Sequence, residues 1–184
     1  VVVNYTEVTS LVKEGGEVRG VTARDTISGR ALTARAKVVI SAVGPWTDAI
    51  LRMDEPKARP LLRPTKGIHL LVPRRRLGYD HAIGYLSPKD GRLMFLIPWG
   101  DYSIIGTTDT DYPGDPGDVY ADASDVEYTL DAINAQFPEV HLTTEDVVST
   151  YAGVRPLISE SGAQVSESRV SREHKIWETQ SGLL

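Results

Sequence analysis

Residues 63–76, RPTKGIHLLVPRRR, decide how the chain is read. In an extended backbone successive side chains point to opposite faces, so Ile68, Leu70 and Val72 share one side and His69 and Leu71 the other. The run is apolar enough to predict a strand covered on both faces. On that reading His69 has left bulk water, and a buried imidazole needs a partner, a ligand or a chemical task.

Upstream, residues 5–40 read as a three-stranded meander. TEVTSLV stops at Glu14-Gly15-Gly16-Glu17, a hairpin signal, and EVRGVTARD turns at Ser28-Gly29. The third run, ALTARAKVVISAV, ends in VVIS, whose continuous apolar character predicts a strand covered on both sides. It leads through Gly44-Pro45-Trp46 into TDAILRM, where proline suits a first helical turn. Strand, glycine and helix start can bring backbone close to a cofactor, although a plain strand-to-helix turn has the same signature. Pro56, Pro60 and Pro64 mark a crossing between two subdomains.

Downstream, RLMFLIPW and YSIIGTTD are two further strand runs, with turns at Asp90-Gly91 and Gly100-Asp101. Ser124 and Glu127 have capping-box spacing, and Val126, Leu130, Ile133 and Phe137 follow at helical intervals before Pro138. DVVSTYAGV is a strand with Arg155 at its end, and SRVSREHKIWE a last hairpin holding Arg172. The expected fold class is α+β: an antiparallel sheet with helices on one side, preceded by a β-meander and a strand.

With 41% apolar residues the 184-residue chain can build a packed core. A net charge of −5 without a dominant basic face argues against a nucleic-acid partner. The absence of cysteine excludes disulfides, thiolate metal sites and cysteine nucleophiles. No apolar run is long enough to span a bilayer. The ends, VVVNYTEV and SGLL, read as interior to a longer protein, so a fragment is expected.

Three residues stand out for chemistry. A histidine among apolar residues is more often a hydrogen-bonded core residue than a catalyst. Arg155, in AGVRPL, lacks the polar company of a surface arginine, so its guanidinium must meet an anion from the protein or from a ligand. Arg172, in SREH, reads alone as an exposed strand residue. Two arginines converging on one point would clamp a phosphate or carboxylate. DTDYPGDPGD, residues 109–118, places Asp109, Asp111 and Gly114 at the first, third and sixth positions of a calcium loop. Pro113 and Tyr120 then break the ligand set, so a tight acidic surface loop is expected and no metal. There is no P-loop, no GxSxG elbow and no GxGxxG fingerprint.

Taken in order, VVISAVGPWTD, RPTKGIHLLVP, LMFLIPWGDYSIIGTTDTDY, DVVSTYAGVRPL and VSREHKIWETQSGLL resemble the FAD-dependent glycerol-3-phosphate dehydrogenases and the related alpha-glycerophosphate oxidases, flavoproteins of the D-amino-acid-oxidase type. The resemblance covers almost the whole chain and implies the central part of such a protein. Residues 1–56 would belong to an incomplete Rossmann-like FAD domain. Residues 57–184 would form the substrate domain, with the C-terminal end leading back to the FAD domain. His69 matches the family histidine that acts as general base, and Arg155 and Arg172 match the arginines that hold the substrate phosphate. Gly44, Pro45 and Trp46 match a segment lying against FAD, and Val8 a backbone contact to the adenine. The implied reaction is oxidation of glycerol 3-phosphate to dihydroxyacetone phosphate, with electrons passing to quinone. The implied location is cytoplasmic, peripheral at the membrane face.

The departures are specific. The glycine-rich dinucleotide fingerprint, its acidic ribose ligand and a glycine-rich lysine segment that follows SGLL in the family are missing. Val43 stands where threonine is common. The 184 residues alone are therefore not expected to hold FAD tightly. Three alternatives stay open: an oxidase passing electrons to oxygen, an amine or amino-acid oxidase of the same fold, and a non-catalytic anion-binding module without flavin. AGVRPL with SREH argues against the second, which needs a carboxylate clamp.

Overall fold

A computed structural model describes residues 1–158 and 174–184. The predicted C-terminal hairpin, with Arg172, lies largely outside the described residues. The chain divides into two units, one formed by residues 1–62 with the C-terminal segment and the other beginning at Arg63.

In the first unit β1 (Thr6–Glu14), β2 (Glu17–Asp25) and β3 (Ala31–Arg35) form the expected antiparallel meander. Its first hairpin closes through Gly15 and Gly16, at φ +61° and +90°, a region where a side chain would be strained. Residues 44–46 make a single 3-10 turn that leads into α1 (Thr47–Asp54). Val18, Ile50 and Leu183 form a small buried cluster, with Leu11, Val39 and Val43 packed on it. The buried carboxylate of Asp54 joins three elements. It meets Lys13 Nζ of β1 at 2.7 Å and accepts a 2.6 Å hydrogen bond from Ser181 Oγ near the C-terminus.

The VVIS expectation is corrected here. Val39 makes one parallel bridge to Leu183, while Val38 and Ile40 are exposed. An apolar run records what a segment can tolerate on its faces; it does not supply the neighbours that would cover them.

The second unit is a six-stranded sheet built around β4 (Leu62–Pro73). β5 (Ile83–Leu86), β6 (Leu93–Trp99) and β7 (Tyr102–Gly106) follow as hairpin neighbours, and β7 pairs antiparallel with β4, His69 opposite Gly106. The short β8 (Thr110–Asp111) pairs with β4 at Thr65 and Lys66, and β9 (Ser149–Ile158) also pairs with β4. α2 (Ala123–Gln136) lies on one face. Its Leu130, Ala132 and Ile133 pack with Ile68, Leu70 and Val72 of β4, Met94 and Leu96 of β6 and Ile105 of β7. Burying a large apolar side chain contributes about 1.5–3 kcal/mol, so this face accounts for most of the unit's packing energy.

The opposite face is more open. Leu93, Phe95, Ile97 and Trp99 of β6 are exposed, and His69 and Leu71 are only partly buried. β4 is therefore sealed on the face of Ile68 and half-open on the face of His69. The α+β class and the antiparallel sheet stand as expected. The helix cap does not fall on Ser124: Asp122 caps α2 in a reciprocal box with Asp125, and Ser124 Oγ donates to the Asp122 carboxylate at 2.6 Å. Arg155 lies inside β9, not at its end.

Candidate active site

The site grows from the half-open face of β4. Thr65, Gly67, His69 and Leu71 alternate onto that face. The guanidinium of Arg155, on β9, lies directly over Gly67, in the space a Cβ there would fill. Gly67 and His69 are two residues apart along the strand, about 7 Å, so imidazole and guanidinium share one small region of the sheet.

Arg155 is half-enclosed by the loop after β7. It donates from Nη2 to Thr107 Oγ1 at 2.9 Å and from Nη1 to the Thr108 carbonyl at 3.2 Å, and its Nη1 lies 3.4 Å from the buried carboxylate of Asp109. Part of the question of which anion it meets is thus answered within the protein. A quarter of its side chain stays exposed. The loop is held in turn by Arg92 Nη1, which donates to the Asp109 carbonyl, and by Thr108 Oγ1, which accepts from Ile68 N.

His69 is not the fully buried residue that the alternation suggested. One face of its ring stacks on Tyr151 of β9, with centroids 4.7 Å apart and planes 16° from parallel. Its edge lies on bare backbone: a Cβ on Gly106 would stand 2.5 Å from His69 Cδ2. Partial burial lowers the imidazole pKa below the usual histidine value, and the positive charge of Arg155 lowers it further. Both effects favour the neutral form, which can accept a proton. Among the described residues no side chain hydrogen-bonds to the imidazole.

Among the described residues no cluster of three or more His, Cys, Asp or Glu side chains could hold a metal ion, and carboxylates of the acidic loop have partners within the protein. Asp109 turns to Arg155, Asp111 makes a two-pronged pair with Arg63, and Asp115 accepts from Gly117 N. Asp109 is also buried, so the loop is acidic but not wholly at the surface. Sequence reasoning missed Tyr151, Gly67, Gly106 and Thr107. The four-residue spacing of Tyr151 and Arg155, an even number on one strand, was the available signal for Tyr151; the others depend on tertiary contact.

The remaining expected residues lie in the first unit. Gly44 has a left-handed φ of +59° with no atom of the described residues near its Cβ position, and Trp46 is exposed. Three residues earlier the buried Ser41 hydroxyl lacks a hydrogen-bond partner among the described residues. A bare backbone turn, an exposed indole and an orphaned hydroxyl suit a planar group rich in hydrogen-bonding atoms. Val8 sits on the edge strand β1 beside a register shift.

In the unit that begins at Arg63, an antiparallel sheet carries the Arg155 guanidinium and the His69 imidazole on its more open face. The family described as FAD dependent oxidoreductase (DAO) matches residues 1–179, and the chain belongs to it. FAD is the cofactor of that family. Among curated relatives, the aerobic glycerol-3-phosphate dehydrogenase of Staphylococcus haemolyticus is 39% identical over all 184 residues, which cover 33% of its length. The protein of that name from Staphylococcus aureus strain MRSA252 is 38% identical over the same span. The chain thus spans about a third of the length of these relatives. The FAD complex of Bacillus halodurans glycerol-3-phosphate dehydrogenase superposes with a TM-score of 0.86 at 37% identity, over 98% of this chain and 34% of that one. L-proline dehydrogenase from P. horikoshii, at 19% identity and a TM-score of 0.64, shares the fold over 89% of this chain and 42% of that one. No helix among the described residues is long and apolar enough to cross a membrane.

Proposed function

We propose that this chain is part of a flavoenzyme that oxidises glycerol 3-phosphate to dihydroxyacetone phosphate, with residues 1–56 serving the cofactor and residues 57–184 chiefly the substrate. The observation that carries the reading is the juxtaposition of the His69 imidazole and the Arg155 guanidinium on one open sheet face. Arg155 holds the phosphate, for which a planar fork suits better than an ammonium point charge. Arg172 is its partner in the clamp, an assignment resting on the SREH motif alone. His69, neutral because burial and Arg155 both disfavour its protonation, takes the proton of the secondary hydroxyl as hydride leaves the same carbon. FAD, when bound, supplies the two-electron acceptor for that hydride. Gly44, Pro45 and Trp46 would hold the flavin nucleotide, with the Val8 backbone contacting its adenine. Electrons pass on to quinone at the cytoplasmic membrane face, where the full-length protein is peripheral.

The names of the full-length relatives support the substrate, and the guanidinium on the open face supports a phosphate over a neutral polyol. Anaerobic mixing of the full-length protein with candidate substrates tests this. Glycerol 3-phosphate should bleach the flavin absorbance, while glycerol and L-proline at equal concentration should not. Bleaching by L-proline, or none by glycerol 3-phosphate, would overturn the assignment. Peroxide released stoichiometrically on re-oxidation would favour oxygen over quinone as acceptor.

A further inference from the structure

A general base is usually held in register by a hydrogen bond to its second ring nitrogen. His69 has no such bond from a side chain among the described residues, yet its ring is closely confined. Tyr151 covers one face at 4.7 Å and 16° from parallel, and the glycine backbone of β7 lies under the edge, where a Cβ would come within 2.5 Å. A near-parallel aromatic contact has a preferred geometry that a generic apolar contact lacks.

We propose that Tyr151 is a positioning residue for His69: its ring, with the bare backbone of Gly106, fixes the imidazole plane from which the substrate proton is taken. This rests on the assignment of His69 as base. The Tyr151 hydroxyl makes no side-chain hydrogen bond among the described residues, and partial burial raises its pKa, so the ring acts as a neutral plate across the working pH range. Tyr151 shares a face of β9 with Arg155, so one strand orients the base and carries the phosphate ligand. Among the described residues, the groups facing the imidazole are Tyr151 and Arg155 from β9, the latter paired with Asp109, together with Gly106 from β7 and the flanking Gly67 and Leu71 of β4.

The test uses the full-length flavoenzyme. Tyr151→Phe keeps the stack, so the flavin-reduction rate at saturating substrate stays within about twofold of wild type. Tyr151→Leu and Tyr151→Ala lower it about tenfold or more with a smaller change in KM, because misorientation of a reacting group is felt in the chemical step. In Tyr151→Ala the acid limb of the rate–pH profile moves to higher pH, since uncovering the ring restores solvent to the imidazolium. Carbethoxylation of His69 by diethyl pyrocarbonate, followed by peptide mass spectrometry, reads ring access without turnover. It accelerates in Tyr151→Ala and not in Tyr151→Phe. Tyr151 is 47% exposed, so truncation spares the fold, and retained flavin absorbance checks this. Wild-type rate and pH limb in Tyr151→Ala, or in Tyr151→Leu, would overturn the proposal. If His69→Gln reduces flavin normally, the base assignment itself fails, while unchanged carbethoxylation in Tyr151→Ala separately refutes the positioning role.

Discussion

At the scale of single residues the site is defined as much by missing side chains as by present ones. Gly67 gives the Arg155 guanidinium its place on the sheet, and Gly106 gives the His69 ring its floor. Neither has a left-handed φ; at both, the space a Cβ would take is filled by a neighbouring side chain. In Gly67→Ala the added methyl meets the end of a flexible side chain, so the arginine moves and the strand stays. KM for glycerol 3-phosphate should rise about tenfold with kcat little changed, as expected when a phosphate contact common to ground and transition states is lost. Steady-state kinetics of the full-length variant checks this; an unchanged KM would show that Arg155 does not need its present position. His69 was legible as the imidazole that interrupts an apolar run, while the role proposed for it comes from the family resemblance. Its degree of burial was not legible, because alternation gives the two faces but not what covers them.

At the scale of elements β4 works in two directions. Its sealed face presents Lys66 as well as the core aliphatics. Lys66 Nζ sits 2.7 Å from Asp122 and 2.6 Å from Asp125 at the N-terminus of α2. Burial alone would lower the lysine pKa, but the hydrogen bonds and charges of Asp122 and Asp125 outweigh it and the net direction is up. The Lys66 hydrogen bond, with those of Ser124 and the helix backbone, holds Asp122 well below the usual carboxylate range. Because the folded value lies below the unfolded one, the stability this carboxylate contributes is complete above the ordinary aspartate pKa. It is lost only as pH falls from there through the folded value. Lys66→Met leaves the buried Asp125 carboxylate without its cation and should cost about 3 kcal/mol, read as a fall in the urea midpoint at neutral pH. A loss under about 1 kcal/mol would mean that the cap holds α2 without the lysine.

Element positions were largely legible in the sequence where chain chemistry is local. The Gly15-Gly16, Gly91 and Gly100 turns all have positive φ, and the strands between them fall where alternation put them. The α2 face was legible through Leu130 and Ile133. Its cap was not, because Asp122 and Ser124 are both good caps and the choice depends on Lys66, 56 residues away in sequence. β5 escaped notice because IGYL is four residues long, and only pairing with β6 makes it a strand. Tyr151 escaped for the same reason: its meaning comes from a ring on another strand.

At the scale of the whole molecule the 184 residues hold two units with separate cores, and they span about a third of their full-length relatives. His69 and Arg155, proposed to act on the substrate, lie in the unit that begins at Arg63, whereas the residues proposed to touch FAD lie in the first. The proposed division of labour is the claim to test, in the full-length protein: Arg155 binds and His69 moves the proton. The direct measurement is stopped-flow flavin reduction in the full-length enzyme over a range of glycerol 3-phosphate concentrations, for His69→Ala and Arg155→Ala. His69→Ala should lower the limiting rate about 10²-fold or more with little change in the half-saturating concentration, and Arg155→Ala should chiefly raise that concentration. A limiting rate unchanged in His69→Ala would contradict the account.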